Sequence, residues 1–466
     1  MKLTPRIIAY ATLLVHWGPS NALSYGWGFL IFLFILIAKP GWFNTMGYFG
    51  RKVTRNALYF SAVFFLSAWA NFLIENESFN NLFWSIFTYG STICTLLVFL
   101  SLPFHEEDGI RIFRFSLYLT LFEALVGYIQ MLTAQSFQSI NPFSVLGPAA
   151  GDNFVGTTFD VGIGNLIAIK MSLTVLLFIP FWFSKRSGNN TILLVLLLIG
   201  WILPSAIYTL LIGFVVIIYF FVVYGSIQSL FTFKMHSTLF YATVTGFLLV
   251  GLFVYTQREN VVYTAESLKQ IYTTIANKNV TQASRKVMYF RKTITKLPFE
   301  HPYALFIGVG PGNYSSRSAW LVSGEYLEHQ PFYIPVTPSK IMEEYNITIW
   351  SRKHISNKFK GGGSITHQPF STWFSIIAEM GVIALIIFSI MIARLYQSFT
   401  YAQNRLDDEF YNNLALGLKM TVVYLVFLFF VDNLFEWPMV MAQFFVFAAI
   451  LIRKIDNTIK DQRAPD

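Results

Sequence analysis

The sequence predicts an all-α polytopic membrane protein of about twelve transmembrane helices, with one large, partly helical extracytoplasmic loop. Three observations predict this class. Of 466 residues, 55% are hydrophobic and only 12% are charged, against roughly 25% charged in a soluble domain. The apolar residues come in runs near the length that crosses a hydrocarbon core, about 20 residues. The cations also sort by position, as they do across a membrane.

The apolar runs cover 6–18, 22–38, 56–74, 80–102, 112–134, 163–183, 190–205, 206–225, 236–256, 368–396, 412–433 and 436–453. The first is short and ends at Gly18-Pro19, and the seventh and eighth form one stretch split at Pro204. The chain thus divides into spans one to nine over 1–256, a loop over 257–367, and spans ten to twelve with a tail over 368–466. No internal repeat is evident. No cleavable signal peptide is expected, because no small-residue cleavage site follows the first apolar run.

Orientation follows from the charges. With the N-terminus in the cytoplasm, the short cytoplasmic segments hold Lys2, Arg6, Lys39, Arg51, Lys52, Arg55, Arg111, Arg114, Lys185, Arg186, Lys234, Arg394, Arg405, Arg453, Lys454, Lys460 and Arg463. The short external segments hold no Lys or Arg, and carry Glu75, Glu77, Asp152, Asp160 and Glu436. Both termini are therefore expected in the cytoplasm and the loop outside.

The loop is the chemically rich segment. Between residues 257 and 366 it carries 14 Lys and Arg against seven Glu and no Asp. Ala283 to Lys296 has helical spacing, with Val287, Phe290 and Ile294 on one side. The segment 353–364, with Gly361-Gly362-Gly363, has the composition of a hinge. Gly308-Val309-Gly310-Pro311-Gly312-Asn313-Tyr314 reads by itself as a tight turn entering a helix. Its functional reading is a backbone nest at Gly310 and Gly312 for an anionic ligand. Arg285, Arg291 and Arg317 can fork onto phosphate oxygens, or can form a solvated basic face. His367 stands before Gln368-Pro369 at the mouth of the tenth span, as a general base or as a polar helix-end residue.

Charges inside spans are costly unless paired. Glu123, Lys170 and Glu379 qualify, and Lys170 can pair with Glu379. Lys419 can snorkel to the cytoplasm. Asp432 and Glu436 sit near an outer end and need little explanation. The single cysteine, Cys94, excludes an internal disulfide. The His residues are scattered, so no metal site is expected. No phosphate-binding Gly-Lys loop argues for a nucleotide-driven pump, and no nucleic-acid partner is expected.

Several stretches resemble one family. Arg285 followed by Lys-Val-Met-Tyr-Phe, then His301-Pro302 and Ile307-Gly-Val-Gly-Pro-Gly-Asn-Tyr314, resembles the loop signature of the bacterial O-antigen ligase and O-antigen polymerase superfamily. Trp373-Phe-Ser-Ile-Ile-Ala-Glu379-Met-Gly381 is similar to its next signature. Gly156-Thr-Thr-Phe-Asp160 through Asn165-Leu-Ile-Ala168 is similar to a third. The resemblance covers roughly residues 150–385.

It implies a membrane-embedded glycosyltransferase of the GT-C type in the bacterial plasma membrane. Such enzymes take a glycan from undecaprenyl diphosphate on the outer face, without a cofactor or metal. Polymerases extend the next lipid-linked repeat unit, and ligases load the lipid A core. Partners implied are the lipid-linked donor and acceptor, membrane lipids, and a chain-length regulator and flippase of the same pathway. Arg285 matches the family's loop arginine, and His367 is the candidate base, with Glu379 as its alternative. The chain departs from the family twice. The family's histidine position is filled by Phe370, with His367 one helical turn earlier. The family's Ser-Arg at the eighth span is replaced by Pro204-Ser205-Ala206-Ile207-Tyr208, leaving Lys170, Arg258 or Arg291 as the second cation. Both departures concern residues typical of ligases and favour a polymerase. The competing classes are a lipid-linked oligosaccharide transporter and a non-catalytic scaffold.

Overall fold

The computed structural model describes residues 4–18, 21–75, 78–136, 157, 164–185, 187–202, 204, 206–224, 269, 272, 276, 285–323, 337–350 and 370–462. Among these the regular secondary structure is all helical, with no strand. The membrane-type helices are α1 (Pro5–Trp17), α2 (Asn21–Ala38), α3 (Tyr48–Glu75), α4 (Phe79–Ser101), α5 (Glu106–Ser136), α6 (Gly164–Ser184), α7 (Gly188–Ile202) and α8 (Ile207–Tyr224). The loop contributes α9 (Arg285–Arg291, continued through Glu300) and the short α10 (Arg317–Val322). The chain then returns through α11 (Thr372–Arg405), α12 (Glu409–Val431) and α13 (Pro438–Asp461).

The described part of each expected apolar run is helical over most of its length, and the run 236–256 lies outside the described residues. Seven of the described helices are long and apolar enough to cross a membrane: α3, α4, α5, α6, α11, α12 and α13. The protein is therefore membrane-embedded and polytopic. Helices α2, α7 and α8 are apolar but shorter.

Burial separates the centre from the rim. The apolar windows of α6 and α13 are 89% buried, and that of α3 is 33% buried. Thus α6 and α13 form the axis, while α3 turns Leu58, Phe65, Trp69 and Leu73 outward. Without a hydrophobic drive between helices in lipid, close packing and interhelical hydrogen bonds hold the axis. Gly417 of α12 lets the backbones touch: a Cβ there would lie 2.9 Å from Leu177 Cα of α6. Gln443 of α13 donates to Thr174 Oγ1 of α6 at 2.7 Å, and Ser172 of α6 donates to Tyr424 Oη of α12 at 2.9 Å.

Helix α11 is interrupted. Gly381 has φ 80° and ψ 179°, so two helical pieces meet at a break. A break inside a span frees backbone groups that protein must satisfy. The segment 307–310 of the loop does this. Val309 N–H donates to Ala378 O at 2.8 Å, and Gly310 N–H to Glu379 O at 3.0 Å. Two glycines permit the approach: a Cβ on Gly308 would lie 2.1 Å from Glu379 C, and one on Gly381 2.1 Å from Phe306 O. Asn71 of α3 closes the joint by donating to Gly308 O at 3.2 Å.

Candidate functional site

The loop meets the spans through a set of buried charges. Its first member is Glu379, fully buried at the break in α11. Its carboxylate accepts N–H bonds from Gly312 at 2.9 Å, Tyr314 at 3.2 Å, Ser315 at 2.9 Å and Ser316 at 2.8 Å. Gly308, Gly310 and Gly312 have φ of 70°, 90° and 84°. That left-handed backbone is open to glycine at little cost, and it turns successive N–H groups to one point. The run is thus both a tight turn into α10 and a nest. The nest holds the chain's own carboxylate in place of an external anion. The expected Glu379–Lys170 pair does not form, because Glu379 is satisfied here.

The turn is tied on its other side to α4 and to the loop's later segment. Asn81 Nδ2 donates to Asn313 Oδ1 at 2.7 Å, and Asn346 Nδ2 to Tyr314 O at 2.7 Å. Ser316 caps α10 by accepting from Ala319 N–H.

Arg317 opens α10 and is the second member. It donates through Nη2 to Asp432 Oδ1 at 2.6 Å and through Nε to Asn433 O at 3.1 Å. Its guanidinium lies 3.9 Å from the Trp437 ring centroid and 4.4 Å from that of Phe370. Asp432 and Glu436, read from sequence as needing little explanation, are the anchors of this site. Glu436 Oε2 accepts Arg317 N–H at 2.5 Å. Burial, then the nearby Glu379 charge, pushes the Glu436 carboxyl up to about 8. An acid-rich turn between two apolar runs, facing a basic loop, was the available signal.

Helix α9 supplies the third member, turned by one residue from the expected face. Lys286, Tyr289, Thr293 and Leu297 are buried, whereas Ile294 is 57% exposed. Polar partners explain the rotation. Tyr289 shares a hydrogen bond with Ser315, and Thr293 with Tyr314 at 2.8 Å. Phe290 stacks on Phe374 of α11, with centroids 3.9 Å apart. Lys286 Nζ donates to Phe370 O, and to Val431 O at 3.0 Å. Burial lowers the Lys286 ammonium to about 7, with Asp432 opposing that shift. Arg285, one residue earlier, is half-buried at the start of α9, and Arg291 is exposed.

A second polar cluster lies apart, among α1, α5 and α6. Lys170 of α6 is fully buried, donates to His16 O, and lies 4.1 Å from the Trp17 ring centroid. Glu123 of α5 accepts from Thr157 N–H and lies beside Oγ1, both at 2.7 Å. The Glu123 carboxylate acts on the Lys170 ammonium through its field rather than through a contact ion pair. His16 is buried, and neither ring nitrogen has a hydrogen-bond partner among the described residues. Lys419 of α12 reaches Gln403 Oε1 at 2.9 Å, towards the end of the bundle away from the loop.

Of the residues singled out from sequence, Glu379, Gly310, Gly312 and Arg317 come together, and Arg285 stands one residue before Lys286 at the start of α9. Lys170 does not join them. His367 and Arg258 lie outside the described residues, as does the 353–364 segment. Phe370 fills its site as a fully buried ring beneath Arg317. No metal-ligand cluster occurs among the described residues. The fold and this joint define a helical, membrane-embedded protein whose large loop is clamped onto its spans. A scan against protein-family models finds no match, and a search of curated proteins finds none.

Proposed function

We propose that the chain is an inverting glycosyltransferase of the bacterial plasma membrane. It moves a glycan from undecaprenyl diphosphate to the next lipid-linked repeat unit on the outer face, as an O-antigen-type polysaccharide polymerase. One observation carries this reading. The stretch 285–314 and the stretch 373–381, which separately resemble one family's signatures, form a single joint centred on Glu379. Within it, Lys286 is tied to Phe370. The residue after Arg285 thus touches the residue three positions after His367.

In this mechanism an acceptor hydroxyl oxygen attacks the anomeric carbon. The bond from that carbon to the diphosphate oxygen breaks, and undecaprenyl diphosphate departs with the electron pair. Arg285 and Arg291 offset the charge growing on the leaving phosphate, and His367 takes the hydroxyl proton. Glu379 is a positioning residue: to act as a base it would have to leave four N–H donors. Arg317, engaged by Asp432, likewise holds the loop.

The test is an assay of the purified protein in lipid with the undecaprenyl-diphosphate-linked repeat unit as sole substrate. A ladder of longer products is expected, lost in Arg285→Ala and in His367→Ala while their unfolding temperatures stay near wild type. Product only after adding lipid A core would make the protein a ligase. A ladder retained in both variants would overturn the mechanism. The break in α11 favours one other class, since broken spans line sites in transporters. Movement of labelled lipid-linked glycan across a vesicle bilayer, with no new glycosidic bond, would establish that reading instead.

A further inference from the structure

At the far end of the bundle from the loop, a cavity of about 540 Å³ opens between α5, α6, α7 and α12. Connectivity fixes the end: α11 enters from the loop at Thr372, ends at Arg405, and the turn 406–408 starts α12 there. The volume lies within the about 300–1,000 Å³ of ordinary ligand sites.

The cavity has two chemistries. Its floor is aromatic: Phe113 and Phe181 have centroids 4.6 Å apart, and Phe410 lies 5.2 Å from Phe181. Its rim carries Arg114 and Lys185, both exposed. Neither forms an ion pair among the described residues. The rim acid, Glu409, accepts from Ser184 Oγ. The first amides of α12 are already capped by Asp408, so the helix end itself is not open to an anion. A soluble anion would leave the aromatic floor uncovered. A zwitterionic lipid would bring its own cation to a rim that already has two. An amphiphile with a net negative head matches both parts.

We propose that this cavity is a site for an anionic phospholipid. Its phosphate is held by Arg114 and Lys185, and its chains lie on Phe113, Phe181 and Phe410. In the orientation proposed above, that lipid comes from the cytoplasmic leaflet. The site itself stands without that orientation and without the glycosyltransferase reading, because its test involves no catalysis.

The experiment measures thermal unfolding of the purified full chain in detergent with phosphatidylglycerol, phosphatidylcholine or glycerol phosphate added. Phosphatidylglycerol is expected to raise the unfolding temperature, and the other two to leave it unchanged. Arg114→Gln/Lys185→Gln should unfold at the wild-type temperature without lipid. It should need at least about tenfold more phosphatidylglycerol for the same shift, the equivalent of about 1.4 kcal/mol. Leu193→Trp, which fills the cavity and keeps both cations, should also lose the shift. Equal stabilisation of the double variant, or equal stabilisation by phosphatidylcholine, would overturn the proposal. A shift reproduced by glycerol phosphate would do so too, by making the site one for a soluble phosphate.

Discussion

Two buried polar clusters sit in the same bundle and are built in opposite ways. Around Glu379 and Arg317, each charge meets several partners: four N–H donors for one, and a carboxylate, a carbonyl and two rings for the other. Around His16 and Lys170 the partners are few. Among the described residues, the ammonium has one carbonyl, one ring and the field of Glu123, and the imidazole nitrogens have none. Burying a polar group is costly in either place. The difference is that the first cluster ties the loop to the bundle, with the loop, α4, α11 and the 432–437 turn all meeting there. The lesson is that a fully satisfied buried charge marks a joint. His16, whose ring nitrogens have no partner among the described residues, still calls for one.

The comparison breaks most easily at Glu379. Glu379→Ala strands four buried N–H donors, each costing on the order of 1–3 kcal/mol when unpaired. The loop should detach. Limited proteolysis should cut within 285–323 in the variant at protease levels that leave wild type intact, and folded yield should fall sharply. Glu379→Gln keeps one carbonyl acceptor and should fall between. A variant that resists proteolysis like wild type would show that the loop is held elsewhere.

The Arg317–Asp432 pair comes next. Removing one partner of a buried pair costs about 3–5 kcal/mol, because the other charge is left uncompensated. Arg317→Met and Asp432→Leu should each lower the unfolding temperature strongly. The double variant should lose less than the sum of the two. Simple additivity in that cycle would mean the contact contributes no coupling.

Glu436 offers a smaller effect with a defined sign. Its folded value, near 8, lies above the ordinary carboxylate value of 4.5. The group is neutral in both states at low pH. As pH rises from 4.5 to 8, the unfolded chain releases its proton and the folded chain keeps it. Stability from this group is therefore present below 4.5 and is lost as pH approaches 8. Glu436→Gln, which still accepts from Arg317 N–H, removes that loss. Its unfolding temperature should match wild type at pH 4.5 and exceed it by a few degrees at pH 8. Parallel pH profiles for the two proteins would mean that Glu436 is ionised in the folded state.

Much of the architecture was legible in the sequence. Apolar runs of membrane length became helices because span formation is dictated by residues close together in the chain. The turn at 308–314 was legible for the same local reason, since glycine alone takes its left-handed backbone cheaply. The site was legible only in part. That Gly312 and Tyr314 face Glu379 depends on a contact across more than sixty residues, and no periodicity encodes it. The buried face of α9 was read one residue off because its apolar pattern was weighed and its polar anchors were not. Lys286 and Thr293 go inward because Phe370 O accepts from the first and the Tyr314 hydroxyl shares a hydrogen bond with the second. Opposite charge alone allows Lys170 to pair with Glu379, whereas nearer partners claim each of them.

His16 gives the smallest effect and the sharpest test of the lesson. In the described residues its ring is buried with two nitrogens unpaired, and one of them must be a donor. If that is the whole environment, His16→Phe removes two unsatisfied groups and keeps a ring of similar size. Replacing an unsatisfied polar group by an apolar one of like shape is close to neutral or stabilising, here by about 1 kcal/mol. The unfolding temperature should rise slightly or hold. A clear fall would mean that water, a ligand or another part of the chain meets the imidazole. The cluster around Lys170 would then be an occupied site, and the contrast with Glu379 would be one of partner type alone.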